Sequence, residues 1–76
     1  MTNVFTKGEQ IMLTLCRLKR TIIKDGELTV KELIIIRTLI EMEHLLRANG
    51  SIYIGGNKWA ITFPDGSIAI DEIVPV

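Results

Sequence analysis

Two side chains could supply a nucleophile or a general base near neutral pH, Cys16 and His44, and neither has the company that such chemistry needs. A reactive cysteine needs a neighbour that stabilises the thiolate, and a catalytic or metal-bound imidazole needs a second group at ligand or hydrogen-bond spacing. Both residues fall on stretches that read as helix, among apolar or basic neighbours. Cys16 is expected to be a small core residue. His44, between the turns that carry Arg37 and Arg47, is expected at an edge. The reading is therefore of no catalytic residue, no metal site, no cofactor and no enzyme.

Charge offers a second kind of chemistry. On a helix, Arg17, Arg20 and Lys24, with Lys19 beside them, project together and could grip phosphate or an acidic protein surface. A solvated outer face explains the same spacing. Nine basic residues balance nine acidic ones, which argues against a chain whose main task is to coat nucleic acid or an anionic membrane.

Residues 25–33, DGELTVKEL, resemble the second half of an EF-hand, with Gly26 at the sharp turn and Glu32 at the last ligand position. The first half departs from it, because Ile23 at an early ligand position has no side-chain oxygen. Residues 28–66 are similar in order of elements to winged-helix proteins, through LTVKEL, LLRANG and KWAITFPDG. That resemblance implies a nucleic-acid-binding transcriptional regulator. It departs in lacking a turn before Thr38, which could cap a recognition helix, and in placing Glu41 and Glu43 where a groove-facing helix favours Arg, Lys or Asn.

The elements that would position these groups are read as follows. A capping box at Thr6 and Glu9, with Phe5 as staple, opens a first helix whose stripe holds Ile11, Leu15, Leu18 and Ile22, closed at Asp25-Gly26. A second box at Thr29 and Glu32, flanked by Leu28 and Leu33, opens a long helix over residues 29–50, apolar on most of its circumference. After Gly50 the period alternates, giving strands at residues 51–54, 58–63 and 67–73 joined by glycine and proline turns. Ile52, Ile54, Trp59, Ile61, Phe63, Ile68 and Ile70 share the expected inner face, with Trp59 as a core anchor. Tyr53 lies on the outer one. The expected fold is α+β, a helical hairpin packed on a three-stranded antiparallel meander (ααβββ), in one domain over residues 1–76.

Almost half of the residues are hydrophobic (47%), so some apolar surface must be covered. Ile34 and Leu45 are left over on one line of the long helix, with Thr38 and Glu41 beside them, which suggests a two-fold homodimer patch or a site for a foreign protein. Tyr53, Arg17, Arg20 and Lys24 complete the candidate partner-binding residues. A lone cysteine, the absence of a basic-then-apolar leader and an apolar run of only four residues (33–36) point to a soluble cytoplasmic chain with no membrane partner. The expected function is non-enzymatic protein binding by a small regulator, adaptor or inhibitor of the kind phages and mobile elements encode. The nucleic-acid-binding regulator is the alternative.

Overall fold

Asp25 and Gly26 both take positive φ, 52° and 78°, the backbone of a two-residue type I′ turn. That turn reverses the chain between two long strands, because its twist matches that of a paired hairpin. The computed structural model describes residues 14–76. It holds β1 (Leu15–Lys24), β2 (Glu27–Thr38), α1 (Leu39–Ala48), β3 (Ile52–Gly55), β4 (Lys58–Thr62) and β5 (Ile68–Pro75). All five strands form one sheet in the order β2-β1-β5-β4-β3, every pair antiparallel.

The expected helical hairpin is thus overturned: the molecule is mostly an antiparallel sheet with a single helix, and the α+β, ααβββ reading does not stand. The stretches read as helices carry Thr21, Ile22 and Ile23 in β1 and Thr29, Val30, Ile34, Ile35, Ile36 and Thr38 in β2. β-Branched side chains at this density lose rotamer freedom on a helix and pack well on a pleat. The box at Thr29 and Glu32 lies inside β2 and caps nothing; the one at Thr6 and Glu9 falls outside the described residues. A true capping box exists at Thr38, whose Oγ accepts from the Glu41 amide (3.3 Å) while the Thr38 amide donates to Glu41 Oε1 (3.2 Å). Only the second half of the long expected helix is therefore helical. The meander of the last three strands is present, but its third strand also pairs with β1.

Helix α1 leaves one edge strand, β2, and delivers the chain to the other, β3. Ten residues give about 15 Å of helix, close to the roughly 19 Å that separate the edges of a five-stranded sheet. It must therefore lie across one face. There Met42 and Leu46 meet Cys16, Leu18, Trp59 and Ile73, with Leu33, Ile35, Leu39 and Leu45 packed around them. Cys16 and Trp59 are core residues, as expected. Neither the winged-helix order nor the EF-hand loop is formed, since Leu28–Thr38 is strand and Asp25-Gly26 is a hairpin turn.

Candidate functional site: the open face of the sheet

Register decides which side chains share a face. On the side that α1 crosses, Arg20 opposes Asp71, which opposes Trp59, which opposes Tyr53. Asp71 is fully buried and accepts two bonds from Arg20, Nε to Oδ1 at 2.7 Å and Nη2 to Oδ2 at 2.9 Å. The guanidinium also lies over Phe63, 5.6 Å from its centroid. The hydrogen bonds to Asp71 first, and the charge of its carboxylate, hold the Arg20 pKa above its ordinary value against the opposing effect of burial. The pair is a bidentate, charge-assisted clamp between β1 and β5 with its carboxylate satisfied. It is structural.

The other side of the sheet has no covering element among the described residues. One row across it reads Leu28, Ile23, Ile68, Thr62; the next reads Val30, Thr21, Ile70, Ala60, Ile52. Val30 and Ile52 are 58% and 70% exposed, and Leu28 and Ile54 are exposed too. Side chains of Thr21, Val30, Ile54 and Ile70, with Lys19, Lys58 and Glu72, enclose a shallow trough of about 390 Å³. A third row is charged and alternates in sign: Glu32, Lys19, Glu72, Lys58. Within it Glu32 pairs with Arg17 (2.6 Å), whereas Lys19, Glu72 and Lys58 form no ion pair with any described residue.

The residues singled out in the sequence are dispersed. Arg17 is on the open face with Glu32; Arg20 and Lys24 are on the helix side, joined to Asp71 and to Asp65 (3.2 Å). No basic stripe forms, because alternate strand positions point to opposite faces, and each of the three cations has a carboxylate. Ile34 is 99% exposed where β2 bulges, one residue of β1 facing three of β2 between the Cys16–Arg37 and Leu18–Leu33 pairs. Leu45 instead packs against the core, and Thr38 and Glu41 are spent on the helix cap, which lowers the Glu41 pKa chiefly through the Thr38 hydroxyl. The patch drawn from Ile34, Leu45, Thr38 and Glu41 is thus not brought together. Tyr53 is not on the outer face either; it tilts against Trp59 with ring centroids 5.2 Å apart, half exposed beside the helix.

Sequence reasoning missed Leu28, Val30, Ile52, Ile68 and Ile70 as surface residues. The Asp-Gly dipeptide between two β-branched runs was the available signal for the first two. Ile68 and Ile70 misled by size, since their strand buries the smaller Ala69 and the charged Asp71. Burial pushes the Cys16 thiol pKa up, which disfavours the thiolate, and His44 is exposed. No cluster of His, Cys, Asp or Glu among the described residues could hold a metal ion. No helix among them is long and apolar enough to cross a membrane.

Comparison with protein-family models, with curated proteins and with solved structures found no match. Neither these comparisons nor the geometry support the regulator, inhibitor or phage descriptions.

Proposed function

We propose that the protein is a non-enzymatic binding module that recognises another protein chain through the open face of its sheet. One observation carries this reading: two successive cross-strand rows on the face opposite α1, which hold Leu28, Ile23 and Ile68 and then Val30, Ile70 and Ile52 among smaller residues, have no covering element among the described residues. Scattered exposed apolar residues are ordinary, but a contiguous patch across five strands is the kind of surface that proteins bury against a partner. Charged side chains bound it on one side, as a polar rim bounds the apolar centre of an interface. A second copy of the chain or a foreign chain can serve as the partner.

Nucleic acid finds less support. Arg17, Arg20 and Lys24 lie on two faces, each engaged by a carboxylate, and the open face interleaves two acids with its lysines.

Capture of partners from native cells tests the reading, with Val30→Lys and Ile52→Lys combined and, as control, the exposed helix residue His44→Ser. Loss of every specific partner, self included, with the sheet variant and retention with the control is expected. Equal capture by both variants sinks it.

A further inference from the structure

We propose that the occupant of the open face is a second copy of this chain, stacked sheet on sheet about a two-fold axis that runs along the strands between β1 and β5. This deepens the protein-binding reading and rests on it. The charge order supplies the argument. The row Glu32, Lys19, Glu72, Lys58 reads minus, plus, minus, plus across β2, β1, β5 and β4. A two-fold along the strand direction reverses that order, so Lys19 meets the partner's Glu72 and Lys58 meets the partner's Glu32. All four positions then face an opposite charge. A two-fold axis lying along the row would set each charge against its own kind, which is repulsive.

The same operation matches the apolar rows by size. It lays Ile23 on the partner's Ile68, Val30 on the partner's Ala60 and Ile70 on the partner's Thr21. Two of these three contacts set a larger side chain on a smaller one, and the two sheets align as in sandwich packing. Lys19, Glu72 and Lys58, unpaired among the described residues of one copy, gain partners that compensate the cost of leaving water. The axis superposes β1 on β5 and β2 on β4 and leaves β3 outside the contact. Four strands by about seven residues measure about 19 by 24 Å, or roughly 900 Å² over both copies, the size of a small, readily dissociating interface.

The test is charge complementation read by sedimentation and native mass spectrometry at micromolar concentration. The parent is expected as a dimer. Lys19→Glu alone and Glu72→Lys alone are each expected to shift at least tenfold toward monomer, while their equimolar mixture re-forms a one-to-one heterodimer, since every altered charge then meets an opposite one. No rearrangement within one chain reproduces that rescue. Circular dichroism checks that each variant folds; should either not, Val30→Lys, at an exposed position, is measured in its place and must also dissociate the dimer. A monomeric parent, a dimer indifferent to the single changes, or a mixture that stays monomeric overturns the proposal. A monomeric parent that still captures a foreign chain through Val30 and Ile52 leaves the binding-module reading intact and replaces only the occupant.

Discussion

The two faces of this sheet are built from the same alternating strands, yet they solve opposite problems. The face under α1 holds the smaller or more varied set, with Cys16, Leu18, Ala69, Asp71 and Ile73 all buried. The opposite face carries Leu28, Val30, Ile52, Ile54 and Ile68 in the open. Hydrophobicity alone does not select the inside here. The helix covers the side on which the connection from β2 to β3 crosses, and topology assigns the core. The surplus apolar surface is left on the other side.

That contrast is sharpest when single substitutions are compared by melting temperature and denaturant titration. Met42 is fully buried against the sheet, so Met42→Ala should cost about 2 to 5 kcal/mol and unfold a large fraction of a domain of this size. Next comes the clamp: Asp71→Ala removes the partner of a guanidinium one-quarter exposed, with an expected loss of about 2 to 4 kcal/mol. A double change with Arg20→Met should recover part of it, and a strictly additive cycle contradicts the coupling. Gly26→Val at the hairpin turn, where φ is 78°, should cost about 1 to 2 kcal/mol through backbone strain alone. Open-face changes such as Val30→Thr should stay within about 0.5 kcal/mol when measured on the monomer. A penalty like that of Met42 would mean that the face is covered within the chain.

The smallest effect belongs to acid. The Ser67 hydroxyl and amide, and Lys24 after them, lower the Asp65 pKa to about 2. A carboxylate depressed in the folded state contributes stability that is complete above its unfolded value, near 4, and is lost as pH falls to about 2. Stability should therefore decline over that window, and Asp65→Asn should flatten the decline. An unchanged profile would assign no stabilising role to the turn.

How much of this was legible can be argued from particular residues. The three C-terminal strands could be read because their turns announce themselves and their alternation is regular. The N-terminal hairpin could not be read by apolar spacing, since LCRLKRTIIK and ELTVKELIIIRT satisfy a helical stripe and a strand equally well over ten or twelve residues. Asp-Gly and the β-branched density were the discriminating facts. The helix start at Thr38 was visible as a capping pattern but was overshadowed by the one at Thr29. The open face could not be found from any single strand, because it exists only once β1 pairs with β5. With it went the candidate patch of Ile34 and Leu45, which a helix would have aligned and the sheet separates.

That β1–β5 seam has a further consequence, for the order in which the chain assembles. The hairpin of β1 and β2 closes across two residues, and β3, β4 and β5 close across short turns, so both halves draw on contacts near in sequence. Cys16 opposite Pro75, by contrast, joins nearly the ends of the described chain, and every seam pair is long-range. Loop closure over such a span costs entropy, growing slowly with its length, before any contact repays it, which slows folding. The seam is thus the natural late step. Until it forms, neither half presents the complete open face.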